Sequence, residues 1–116
     1  MQLVPLMLPR ERLPQRRRSV TSGLSYGGAS YAVTIGLYRD GRPGEVFVKG
    51  AKAGSQIDRL LDDAAVCLSL LLQAGADPAT LARSMGRLPG GLPASPIGLL
   101  VDHVNATSRE NASLAS

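Results

Sequence analysis

The chain is poor in the residues from which most site chemistry is built. Its 116 residues include one cysteine, Cys67, and one histidine, His103. A single thiol excludes an intrachain disulfide and all but excludes a thiolate metal site within one chain. It also fits a reducing compartment. Cys67 lies among Val66, Leu68 and Leu70, where a thiol reads as an inert packing group rather than a nucleophile. His103 stands beside Asp102 and reads as a surface residue. Nucleophilic catalysis needs a nucleophile, a base and an orienting group, and the sequence offers no such set. Tryptophan is absent and the aromatics are Tyr26, Tyr31, Tyr38 and Phe47, so the core must be aliphatic. Three tyrosines without interleaved arginines are also too few for a base-stacking platform. The apolar stretch Met1 to Leu8 is interrupted by Pro5 and followed by Pro9. It is too short for a signal core or a membrane span, which makes cytoplasm the default expectation and membrane association unexpected.

What is present is an ordinary folded domain. Hydrophobic residues make up 44% and charged residues 19%, enough for one core and too apolar for general disorder. The charge is uneven. Arg10, Arg12, Arg16, Arg17 and Arg18 against Glu11 place the whole net charge of +4 in the first 18 residues. With prolines at 5, 9 and 14, residues 1 to 18 read as an extended basic arm without regular structure. Such an arm can meet solvent, a protein surface or phosphate, so nucleic acid stays possible through it alone.

The body is expected over residues 19 to 104. Val20, Leu24 and Tyr26 alternate in a first strand that Gly27-Gly28 closes. Tyr31, Val33, Ile35 and Leu37 line one side of a second, and Asp40-Gly41 supplies hairpin chemistry before a third over Glu45 to Lys49. Ile57, Leu60, Leu61, Ala64, Ala65, Leu68, Leu71 and Leu72 then form a helical stripe to about Ala74. Ser55 with Asp58 fits its N-terminal cap and Gly75 its end. Val66, Cys67, Ser69 and Leu70 make the later turns of that helix apolar nearly all round. Such turns call for cover from the following helices or from a second subunit, hence an expected homodimer. Asp77-Pro78 and Ser95-Pro96 start two shorter helices, to about Met85 and Val104, with Leu88 to Pro93 as a flexible connector and residues 105 to 116 as a fraying tail. The fold class is α+β: a small antiparallel meander of two to three strands, covered on one face by a long central helix and two shorter C-terminal helices.

Two candidate sites follow from residues alone. Asp58, Asp62 and Asp63 read as a solvated helix face rather than a metal site. The loop Gly50 to Ser55 is more suggestive: Lys49, Lys52, Gly54 and Ser55 sit where a strand opens into a helix, and helix amides beside ammonium groups suit a phosphate or carboxylate. The same spacing also serves as a plain small-residue connection, since it is not a phosphate-binding P-loop.

A set of local strings carries a resemblance. These are Leu13-Pro14 with Arg16-Arg17-Arg18, the strand Tyr31 to Tyr38, Asp40-Gly41-Arg42 with Gly44-Glu45-Val46-Phe47, Lys52 near the helix start, and Ser69 to Gly75. In order and spacing they resemble the TSCPD-type domain near the C-terminus of adenosylcobalamin-dependent (class II) ribonucleotide reductases, over about Leu13 to Val104. The chain lacks a literal Thr-Ser-Cys-Pro-Asp string. It also has no counterpart of the reductases' barrel, thiyl-forming cysteine or redox cysteine pair. The resemblance therefore implies fold and association rather than catalysis. It implies no cofactor in this chain, adenosylcobalamin belonging to the reductases. The implied role is a non-catalytic accessory whose partner is a reductase-like or nucleotide-metabolism enzyme, met through the sheet's open face or the basic arm, with Arg16, Arg17, Arg18, Arg42 and Glu45 as the expected contact residues. Asp40 and Gly41 also serve the turn, and Glu45 is expected to pair with Arg42 across it.

Overall fold

A computed structural model describes residues 9–50 and 55–115. Three strands, β1 (Ser19–Tyr26), β2 (Ala29–Leu37) and β3 (Pro43–Gly50), form one antiparallel sheet in the order β1-β2-β3. Three helices follow: α1 (Gln56–Gln73), α2 (Pro78–Ser84) and α3 (Pro96–Ala115). The α+β meander expected from the alternating strands is the fold observed.

Turn chemistry sets the register. Gly27 and Gly28 both take positive φ, 58° and 81°, as a two-residue hairpin requires, and Val20 pairs with Ile35 and Leu24 with Tyr31. The second hairpin closes around Arg39, Asp40 and Gly41. Tyr38 N–H donates to the Arg42 carbonyl, Gly41 N–H to the Tyr38 carbonyl, and Gly41 has φ of 90°. Asp40 accepts from the Arg42 backbone N–H at 3.1 Å, fixing the turn from within.

Alternation then sorts the faces. Val33, Ile35, Leu37 and Val46 point to the helices and pack with Ala65, Leu68, Leu72, Leu100, Val101 and Val104. The buried stripe of α1 is narrower than its apolar pattern. Leu61, Ala65, Leu68 and Leu72 are buried, whereas Ile57, Leu60 and Leu71 are about half exposed. The helix lies along β3 at the sheet's margin, so only one narrow strip of it meets the core.

Two C-terminal expectations need correction. Residues 88 to 93 are an ordered turn, with Leu88 N–H donating to the Leu92 carbonyl and Gly91 N–H to that of Leu88. Arg87 clamps it to α3 through a two-pronged pair with Asp102, both contacts at 2.6 Å. The last helix is not short and does not stop at Val104: it runs 20 residues to Ala115, through all but the last residue of the expected tail. Thr107 is buried, and the Asn111 Cβ lies 3.2 Å from where a Gly41 side chain would start. Small residues let this helix approach the β2–β3 turn where an apolar stripe is missing.

Candidate functional site

The sheet has one covered face and one open face. Opposite the core-facing positions, the open face carries Thr21, Gly23 and Ser25 of β1, Ala32 and Thr34 of β2, and Phe47 and Lys49 of β3. Thr21 and Thr34 hydroxyls meet at 2.9 Å. Most of these side chains are small and exposed, and the one acid on the face, Glu45, stands at its end opposite Gly36. Its one aromatic, Phe47, is 58% exposed at the margin. A flat surface of small residues edged by one aromatic can be approached closely by another polypeptide.

The arm closes one end of this face. Arg17 forms a two-pronged pair with Glu45, Nε to Oε2 at 2.7 Å and Nη2 to Oε1 at 2.8 Å, and a third donor reaches the Pro14 carbonyl at 2.6 Å. The pair lies over Gly36, whose missing side chain leaves room: a Cβ there would sit 2.7 Å from the Glu45 carboxylate. Glu45 thus pairs with Arg17, not with Arg42 as expected from the turn. Arg42 instead joins Asp40 at 2.7 Å and Glu11 at 3.1 Å, with its guanidinium 4.7 Å from the Tyr38 ring centre. The backbone N–H and guanidinium of Arg42 hold the Asp40 carboxyl below its usual range. Burial and the nearby Glu11 raise the Tyr38 phenol, against the pull of Arg42.

Further bonds fasten the arm. Tyr38 hydroxyl donates to the Glu11 carbonyl, Glu11 N–H to the Gln73 carbonyl, and Leu37 N–H to the Arg18 carbonyl. Residues 9 to 18 have no helix or strand, as the prolines imply, yet they are tied to β2 and α1. Of the five residues assigned to partner binding, Arg17, Arg42 and Glu45 are engaged inside the chain, while Arg16 and Arg18 are exposed. Glu11, Tyr38, Ser69 and Gln73 escaped that assignment. Their bonding partners are 23 to 31 residues away in most cases, and no local pattern marks such distances.

A groove runs between β3 and α1. About 360 Å³ in volume, it is lined by Phe47, Val48, Val66 and Leu70, with Arg10 and Gln73 among the polar residues along it. Val66 is 58% and Leu70 45% exposed, and Cys67 is exposed too, so α2 and α3 do not cover these turns. Polar side chains of α1 cap the free edge of β3. Val46 N–H donates to Ser69 Oγ at 2.9 Å and Gln73 Nε2 to the Gly44 carbonyl at 2.9 Å. Ser69 and Gln73 thereby spare the edge an open row of backbone groups.

At the proposed anion loop, Ser55 caps α1 by accepting from Asp58 N–H at 3.1 Å. Lys49 is exposed on the open face side, and Lys52 and Gly54 lie outside the described residues. The Asp58 carboxylate occupies the space beside Gly50, 2.4 Å from where a Cβ would stand. It also lines a cavity of about 370 Å³ with Ser55, Ile57 and the β1–β2 turn. A carboxylate at that position opposes an incoming anion.

His103 is half-buried rather than a surface group, its Nε2 enclosed without a hydrogen-bond partner among the described residues. Burial lowers its pKa below the ordinary value, partly offset by Glu110. Among the described residues no cluster of three His, Cys, Asp or Glu could hold a metal, and no helix is long and apolar enough to cross a membrane.

Over 66 residues the chain is 46% identical to a vitamin B12-dependent ribonucleotide reductase of Rhodopirellula baltica, covering 57% of this chain and 6% of that protein. It is 36% identical over 70 residues to the reductase of the same name from Bradyrhizobium diazoefficiens, covering 60% and 6%. Against that of Streptantibioticus cattleyicolor it is 38% identical over 66 residues, covering 57% and 11%. The match therefore spans only about a tenth or less of the length of these relatives. No solved structure matches the chain. The family model for the TSCPD domain matches residues 4–104, which takes in the arm, the sheet and the helices up to the middle of α3, and the chain belongs to the TSCPD domain family.

Proposed function

We propose that this chain is a non-catalytic accessory module of the ribonucleotide-reductase type, docking on a reductase-like or nucleotide-metabolism enzyme through the open face of its sheet. The observation that carries the reading is that face itself: Thr21, Ser25, Ala32 and Phe47 are exposed on a sheet whose other side packs the core through Val33, Ile35, Leu37 and Val46. The relatives supply the partner class, since the matching segment in each of them belongs to a much longer reductase chain. The arm contributes differently from a free basic tail. With Arg17 and Arg42 committed to Glu45, Asp40 and Glu11, it shapes the end of the face, while Arg16 and Arg18 remain exposed.

The test is a calorimetric titration of this chain into a vitamin B12-dependent ribonucleotide reductase from the same organism, shortened to remove the segment that matches it. Saturable binding at micromolar concentrations supports the module. Absence of heat or complex at hundred-micromolar concentrations sinks it. A nucleotide or other anion at Lys49, Lys52, Gly54 and Ser55 is the weaker alternative, because the Asp58 carboxylate lies beside Gly50. It requires thermal stability to rise with millimolar nucleotide.

A further inference from the structure

We propose that β1 pairs edge to edge with β1 of a second copy of this chain, joining the two sheets into one. The two edges of the sheet are treated differently. Ser69 and Gln73 bond to the outer backbone of β3, whereas β1 has β2 on one side and no strand on the other. Among the described residues no further backbone bond reaches β1 from outside the sheet. Edge strands are ordinarily blunted by charge, proline, a bulge or brevity. None of these applies to β1: Ser19–Tyr26 runs eight residues without a charged residue or a proline, in unbroken register with β2.

Parity decides which backbone groups are free. The Arg18 carbonyl accepts from Leu37 N–H, so the even-numbered residues of β1 turn their backbone groups toward β2. By alternation Ser19, Thr21, Gly23 and Ser25 turn theirs outward. Gly23 adds a separate observation. A glycine inside a strand weakens it, and marks a bulge or a close approach by another backbone or a ligand. The register shows no bulge there, and a Cβ would meet nothing within 4 Å. Nothing among the described residues makes the approach that this glycine permits.

A second copy fits because the strand is complementary to itself. A two-fold axis at Ser22 runs the two strands antiparallel. Thr21 then stands against Gly23 of the second copy, and Ser19 against Ser25. These are the outward-facing residues, and their pairs exchange about eight backbone bonds. On the helix-facing side Val20, 38% exposed in the single chain, meets Leu24 of the second copy. At the axis Ser22 meets its counterpart, a small residue where opposed side chains come closest. The two Arg18 residues fall about 27 Å apart along the strands, beyond a screening length of about 8 Å, so the basic arms do not oppose the pairing. The open face stays free in the pair, and the inference stands apart from the docking proposed above.

Sedimentation and cross-linking of the full chain test this. The parent is expected to form a species of twice 12.1 kDa at micromolar concentrations. Gly23→Pro removes an outward donor and no bond to β2, and should sediment as a folded monomer. In a Cys67→Ser background, Ser22→Cys should give a disulfide-linked dimer on mild oxidation, since the facing Cα atoms lie about 4.5 Å apart. Ser25→Cys, about 20 Å from its counterpart, should give little. A parent chain that stays monomeric at hundred-micromolar concentrations overturns the proposal. So does a dimer that Gly23→Pro leaves intact, or equal cross-linking from the two positions.

Discussion

Gly44 shows how closely the arm and the sheet are fitted. A Cβ on this residue would come within 2.6 Å of the Tyr38 ring and 3.0 Å of Leu13. Tyr38 is buried and holds the Glu11 carbonyl, so the ring has little room to yield. Gly44→Ala is therefore expected to cost about 1–3 kcal/mol in denaturant unfolding, with the arm loosened from the body. His103 gives a second prediction at this scale. The chain has no other histidine, so a stability change between pH 7 and 5 is assignable to it. Burial lowers its folded pKa, hence the unfolded state binds more protons below about pH 6.5 and stability falls with falling pH from there. Tm should be flat from pH 8 to 7 and decline below about 6.5, and His103→Gln should flatten that decline. An unchanged slope in the variant would mean that the imidazole is solvated in the native state.

At the scale of elements, the strands and turns can be read directly from the chain. Tyr31, Val33, Ile35 and Leu37 repeat at period two, and Gly27-Gly28 and Asp40-Gly41 announce their turns. The start of α1 is equally plain in Ser55. The extent of α3 is not, because beyond Val104 its inward residues are Thr107 and Asn111, which carry no hydrophobic signal. Their role depends on the nearness of the β2–β3 turn, a tertiary fact. Truncation after Val104 is expected to lower Tm by about 4 °C or more, since it uncovers Leu72 and the turn at Gly41 that this half of the helix adjoins. A truncated chain that melts like the full one would mean that these residues contribute no packing. The staples of the arm were hidden for a related reason. Arg17 with Glu45 and Arg42 with Glu11 join residues 28 and 31 positions apart, and several arginines compete in sequence for each acid.

For the whole molecule, the α+β class and the family were legible in local strings, whereas the surfaces were not. Counting apolar residues on α1 says that Val66 and Leu70 want cover but not that α2 and α3 pass them by. Nor does alternation in β2 reveal whether anything lies over Ala32 and Thr34. Those are properties of the assembled sheet, with α1 placed along its margin and the arm fastened at one end. The resulting body presents one small-residue face, bordered by Phe47 and, at the end the arm closes, by the Arg17–Glu45 pair.

That face is the central claim, and one substitution reaches its middle without touching the core. Ala32 is exposed on β2 and has no side-chain hydrogen bond to lose. Ala32→Arg places a long charged side chain on the flat surface. As a control, Leu92→Ser alters an apolar residue that is 65% exposed on the turn before α3. Affinity for the shortened reductase, measured by titration calorimetry on variants of matched Tm, should fall at least about tenfold for Ala32→Arg, a loss of about 1.4 kcal/mol, and hold for Leu92→Ser. Equal affinity of the Ala32→Arg variant and the parent chain would contradict docking through the open face.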